Sequence, residues 1–97
     1  MIYFKGEVNR DIRPTPLGFS ISGMTVTINF QRPDGSAIAK TGAIVDAATG
    51  QTKYATTSSD TVLDTVGEWF MQVKVNNGST TVRYGPIESF YVEDRLV

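Results

Sequence analysis

Gly67-Glu68-Trp69-Phe70-Met71-Gln72-Val73-Lys74-Val75-Asn76-Asn77-Gly78 is the stretch on which the fold turns. Trp69, Met71, Val73 and Val75 recur at every second position, opposite Phe70, Gln72, Lys74 and Asn76. Successive side chains of a strand point to opposite faces, so this spacing predicts a strand with one apolar face. Asn77-Gly78 offers the positive backbone angles of a two-residue hairpin, and the chain is expected to return directly through Thr80 to Tyr84.

The segments on either side repeat the theme. Val26, Ile28 and Phe30 alternate with Thr25, Thr27, Asn29 and Gln31, the pattern of a half-buried antiparallel strand. Pro33-Asp34-Gly35 is a turn signal, so Ala37 to Lys40 is expected to come back beside that strand. Ala43 to Ala47 and Gln51 to Thr56 flank Ala48-Thr49-Gly50 as a second hairpin with a bulge. Near the start, Ile2 and Phe4 alternate with Tyr3 and Lys5 in a strand that could reach Val8. Asn9 to Pro16 reads as an extended connection, and Pro14 and Pro16 limit it to an irregular edge.

Phe19 to Ile21 is a brief extended piece. Thr57 to Val66 is a loop crossing between sheets, in which Ser59 to Leu63 could take one helical turn. After Gly85-Pro86, Phe90 and Val92 alternate with Tyr91 and Glu93 in a last strand. No long segment has apolar residues at helical spacing, so the expected fold is all-β, an antiparallel β-sandwich of about seven or eight short strands. Its core is expected to hold Val26, Ile28, Phe30, Val45, Tyr54, Trp69, Met71, Val73, Val82, Phe90 and Val92.

Composition bounds the function. Ninety-seven residues suffice for one domain, taken as 1–97, and 40% hydrophobic against 20% charged residues describes a folded globule. Nine basic and ten acidic residues leave a net charge of −1 with no basic stripe, so nucleic acid is not an expected partner. No apolar run approaches the ~20 residues of a membrane-spanning helix, and the opening residues lack the order of a signal peptide, so neither membrane insertion nor export by that route is expected. Cysteine and histidine are both absent, which removes disulfides, thiolate nucleophiles, common zinc and haem ligands and histidine-based triads.

The remaining chemical candidates are each weighed against a plainer role. Trp69 could stack on a sugar, but its place in an inward-facing run favours the core, with its N–H bonded near the sheet rim. Asp60, Asp64 and Glu68 do not match a compact calcium loop and read as solvated acids. Asn77-Gly78-Ser79 matches the N-glycosylation acceptor pattern, yet turn geometry already accounts for it. Arg10, Asp11 and Arg13 read as an edge ion-pair patch that could contact anions or simply be solvated. No catalytic, cofactor-binding or metal residue is expected. The outward set, Tyr3, Phe70, Gln72, Lys74 and Tyr91, forms the possible interaction face, because exposed aromatic patches mark interfaces. The alternative for Phe70 is a minor cluster under a loop, and periodicity leaves the two open.

One succession of motifs is distinctive: Lys5-Gly6-Glu7, Asp11-Ile12-Arg13-Pro14, Ile21-Ser22-Gly23-Met24-Thr25-Val26-Thr27, Arg32-Pro33-Asp34-Gly35, Val45-Asp46-Ala47-Ala48-Thr49-Gly50 and Gly67-Glu68-Trp69. In order and spacing it resembles a group of small phage structural proteins, including the N-terminal domain of the baseplate upper protein of siphophages of Gram-positive hosts and related stand-alone immunoglobulin-like phage proteins. The likeness runs from about Lys5 to Glu93, with a shorter approach at Phe19-Ser20 than relatives often have. It implies an immunoglobulin-like sandwich and a virion component made in the bacterial host cytoplasm, which attaches to tail, baseplate or capsid proteins. It brings no catalytic residues and no cofactor.

The expectation is therefore a non-enzymatic adaptor whose partners are other phage structural proteins, with a homo-oligomer possible. A carbohydrate-binding module using Tyr84, Tyr91 or Trp69 against cell-wall glycans is the alternative. A small enzyme is a third reading that the missing histidine and cysteine disfavour.

Overall fold

The computed structural model describes residues 2–58, 60–78 and 80–96, and among them there is no helix. Nine strand segments follow one another: β1 (Ile2–Phe4), β2 (Asp11–Ile12), β3 (Thr25–Gln31), β4 (Ala37–Thr41), β5 (Ala43–Asp46), β6 (Gln51–Ala55), β7 (Gly67–Asn76), β8 (Val82–Tyr84) and β9 (Glu88–Glu93). They form two sheets, consistent with a β-sandwich. The larger runs β1-β9-β7-β3-β4 with β8 also on β7, and the smaller runs β2-β6-β5. All pairs are antiparallel except β1 with β9, which is parallel.

β7 is the centre of the larger sheet. Its long alternation gives ten residues of ladder, with β3 paired from Thr25↔Asn76 to Gln31↔Phe70 on one side. Val26, Ile28, Phe30, Trp69, Met71, Val73 and Val75 are all turned into the core. Phe90 is the hub of the aromatic packing: its ring lies 5.2 Å from Tyr3, 6.3 Å from Phe30 and 6.0 Å from Trp69. Trp69 is fully buried and its indole N–H donates to the Thr65 carbonyl at 2.8 Å, so the one polar atom of the ring is satisfied.

The other side of β7 carries β9 and then β8 end to end. Met71 pairs with Glu88, and three residues later Lys74 pairs with Tyr84. Two residues of β7, Gln72 and Val73, therefore face three, Gly85, Pro86 and Ile87, which makes a bulge. Gly85 N–H donates to Val73 O and the Gln72 amide donates to Gly85 O, both at 2.9 Å. Pro86, which has no N–H to give, sits where none is needed. A one-residue shift turns every following side chain to the opposite face. Val82, expected in the core, is for this reason on the outside with Tyr84.

The return from β7 is also wider than a two-residue hairpin. Asn76 pairs with Val82, and Asn77 N–H donates to Thr81 O at 3.2 Å. Gly78 has φ of +92°, but Asn77 does not take the left-handed angle that the tight turn demands. Its side-chain oxygen instead accepts N–H donors from Thr80 and Thr81, each at 3.0 Å, which stabilises the longer loop.

Two further corrections concern faces. Tyr3, expected outward, is 1% exposed, whereas Ile2 and Phe4 point to solvent. Parallel pairing sets Tyr3 beside Val92, an inward residue, and places Ile2 and Phe4 beside Tyr91 and Glu93, which are outward. Val45, expected in the core, is exposed, because β5 is an edge strand with no buried residue and its register breaks between Ile44 and Asp46.

The connections contribute the rest of the core. Ile12, Ile21, Val62 and Leu63 are buried although they lie in short or irregular segments. Leu63 adopts φ of +68°, a conformation costly for a branched side chain, and its full burial offsets that strain. Phe19 to Ile21 forms no strand, but Ile21 N–H donates to Ala47 O at 2.9 Å. Asp60 to Leu63 is not helical, and Ser59, the first residue of the expected turn, lies outside the described residues.

Candidate interaction face

The outer surface of the larger sheet follows from its registers. Directly paired residues share a face, so Phe70 lies between Gln31 and Ser89, Gln72 beside Asn29, and Lys74 between Thr27 and Tyr84. Tyr91 sits between Glu68 and Ile2. Four of the five residues expected to form the interaction face thus lie on one side of one sheet, and Tyr3 is on the other. Phe70 is 37% exposed, Tyr91 52% and Tyr84 57%. Phe70 is open to solvent here and not covered by a loop.

Sequence reading missed several members of this surface. Ile2, Phe4, Val82, Tyr84 and Ile87 are all substantially exposed, Ile87 at 69%. The Gly85-Pro86 pair was the available signal for Tyr84 and Val82, since proline in a strand marks a bulge. No comparable signal existed for β1, where Ile2, Tyr3 and Phe4 are apolar on both faces.

At the middle of the face, Asn29, Gln31, Ala37, Phe70, Gln72 and Ile87 rim a shallow hollow of about 150 Å³. Gln72 is partly committed there, its amide holding the bulge carbonyl. The aromatic rings are spread along the sheet. Tyr91 is opposite Glu68 and Tyr84 opposite Lys74, which separates them by about 20 Å along β7. Charge is also distributed along the strand, with Glu68 and Glu93 near Tyr91 and Lys74 near Tyr84.

Two of the three acids expected to be solvated, Asp60 and Asp64, are instead engaged within the chain, and the Asp60 side chain is almost completely buried. Asp64 accepts from Arg32 Nε at 3.0 Å and from its second guanidinium nitrogen at 3.3 Å, and Arg32 also lies 5.8 Å over the Trp69 ring. Asp60 accepts the Tyr54 hydroxyl and the Val62 N–H, and lies 3.3 Å from Lys40 Nζ. Burial by itself would raise the Asp60 pKa, but the bonds from Tyr54, Val62, Lys40 and Thr57 prevail and hold it below the ordinary value. Burial, with the Asp60 carboxylate beside it, pushes the Tyr54 hydroxyl up to about 12. Among the described residues no three acids gather to hold a metal ion.

The Arg10, Asp11 and Arg13 patch is a real ion-pair cluster. Asp11 meets Arg13 at 3.2 Å and Lys53 at 3.5 Å, and the hydrogen bond from Arg13 is the main influence lowering its carboxyl pKa. Arg10 lies 3.8 Å from Glu7 and 4.9 Å over the Tyr3 ring. Each charge therefore has a partner within the chain. Ser79, the hydroxyl residue of the acceptor pattern, lies outside the described residues. In comparison with known proteins, the chain matches no family model and no curated protein.

Proposed function

We propose that the chain is a non-enzymatic structural protein of a phage particle, an adaptor that joins other virion proteins through the outer face of its larger sheet. The observation that carries this reading is the exposure of Ile2, Phe4, Phe70, Tyr84, Ile87 and Tyr91 on one sheet surface. Solvated antiparallel sheets normally present polar residues outward, and a spread of exposed apolar side chains marks a binding surface. The partners are tail, baseplate or capsid proteins, and the place of action is the virion, as the resemblance in motif order implies.

The strand order supports the immunoglobulin-like form of the sandwich. With β7 as strand F, β9 as G, β3 as C and β4 as C′, the larger sheet has the variable-type order G-F-C-C′, and β2, β6 and β5 take the places of B, E and D. The glycan-binding alternative loses Trp69, which is buried, and retains two tyrosines too far apart to hold one sugar ring.

The test is capture of particle proteins encoded beside this chain's gene by the immobilised protein. Binding is expected, together with its loss in Phe70→Asp and Tyr91→Asp variants that still fold. Wild-type protein that captures none of them refutes the reading.

A further inference from the structure

A sheet that does not close has edges, and an edge strand carries backbone donors and acceptors that another strand can use. The larger sheet ends at β1 and β8 on one side and at β4 on the other, the smaller at β2 and β5. Four of these are poor templates. β1 and β8 have three residues each, β2 has two and runs into Pro14 and Pro16, and β5 is interrupted between Ile44 and Asp46. β4 differs from them, with five residues in unbroken register from Gln31↔Ala37 to Thr27↔Thr41.

The hydrogen bonds flanking β4 show which of its backbone groups are free. Arg32 N–H donates to Ser36 O at 2.8 Å, and Gly42 N–H donates to Val26 O at 2.9 Å. An antiparallel ladder alternates between bonded and non-bonded pairs. Ile38 and Lys40, in phase with Ser36 and Gly42, therefore aim their N–H and C=O groups at β3. Ala37, Ala39 and Thr41 aim theirs away from it, over small side chains that would not obstruct an incoming strand.

The charge that would protect such an edge is already compensated within the chain. An inward-pointing charge guards an edge when pairing would bury it alone. Lys40 is the one charged residue of β4, and it is already matched by the almost completely buried Asp60 carboxylate, 3.3 Å away. Pairing along β4 strands no charge.

We propose that β4 docks a second copy of this chain, the two β4 strands running antiparallel about a two-fold axis at Ala39. Ala39 then faces Ala39 of the other copy, and Ala37 faces Thr41, giving about six backbone hydrogen bonds, two for each pair. The strand suits itself as a partner. Lys40 of one copy falls opposite Ile38 of the other, so like charges never meet, and a two-fold contact needs only this self-complementarity. The two larger sheets become one continuous sheet, which extends the outer face past Ala37 into its symmetry mate. The inference depends on the β4 edge alone and stands whether or not the outer face binds phage proteins.

A contact of this size is weak, so the measurement runs from about 20 µM to about 1 mM protein. Sedimentation velocity is expected to show the mass doubling with concentration. Amide hydrogen exchange is expected to slow at Ala37, Ala39 and Thr41 and to stay unchanged at Ile38 and Lys40. Equal charges at the axis repel, so Ala39→Glu and Ala39→Lys should each remain monomeric while their equimolar mixture forms the heterodimer. Retained Trp69 fluorescence shows that each variant folds. A wild-type protein monomeric throughout, a dimer whose three outward amides exchange as fast as in the monomer, or folded Glu and Lys variants that do not associate on mixing overturns the proposal.

Discussion

Gly42→Ala tests how tightly the two sheets are joined. Gly42 is the single residue between β4 and β5, where the chain leaves the larger sheet for the smaller, and it has no left-handed backbone angle that would exclude alanine. Two opposite effects compete. Replacing glycine narrows the unfolded ensemble and stabilises by about 0.4–1 kcal/mol where alanine fits. Here a Cβ would lie 2.8 Å from Val26 Cγ1 and 3.1 and 3.2 Å from Ile28 Cδ1 and Cγ1. Both residues are buried, β-branched and held in β3 between β4 and β7, so they yield little, and overpacking of this kind costs about 1–3 kcal/mol. The net expectation is a loss of about 1–2 kcal/mol, which for a domain of this size lowers Tm by about 4–16 °C. Urea and thermal unfolding followed by Trp69 fluorescence measure it. Val26→Ala removes the nearest methyl, so the double variant should be less destabilised than the sum of the singles by about 1 kcal/mol. A Gly42→Ala protein as stable as wild type, or additive costs in the double variant, would refute the packing argument.

Three other outcomes are expected. The Asp60 carboxyl titrates below its ordinary 3.8, so its contribution is present above about pH 4 and disappears as pH falls through the folded value; Asp60→Asn should flatten the acid limb of the stability profile. The hydroxyl of Tyr54 is raised to about 12, so its contribution is complete below pH 10 and is lost as pH climbs toward 12; phenolate absorbance should show two late tyrosines, Tyr54 and Tyr3, whose hydroxyl burial also raises, and one of the two should disappear in Tyr54→Phe. Asn77→Ala removes the acceptor shared by Thr80 and Thr81 and should cost about 1 kcal/mol in denaturant unfolding, with faster amide exchange confined to the β7–β8 loop.

The apolar alternation of β3 and β7 is legible because a central antiparallel strand has one buried face and one solvated one. From Val26 to Phe30 and from Trp69 to Val75, the order of residues already states which side is which. Turn chemistry was legible too at Pro33-Asp34-Gly35 and Ala48-Thr49-Gly50, where local backbone preference and strand pairing agree. The two-layer all-β organisation follows from these signals. At Asn77-Gly78 local preference lost, because the side chain of Asn77 could bond two amides of a wider loop.

Only tertiary pairing decided the faces of the short strands. In β1 the residues Ile2, Tyr3 and Phe4 suit either orientation, and the register with Tyr91, Val92 and Glu93 selected Tyr3 for the core. Burial of Ile12, Ile21, Val62 and Leu63 has no periodic signature, because these residues close the core from connections that carry no repeating pattern. The outer face was half visible for the same reason. Phe70, Gln72 and Lys74 take their side from a ten-residue alternation, whereas Tyr84 takes its side from the bulge at Gly85 to Ile87, a single added residue that reverses a strand too short to declare its own orientation.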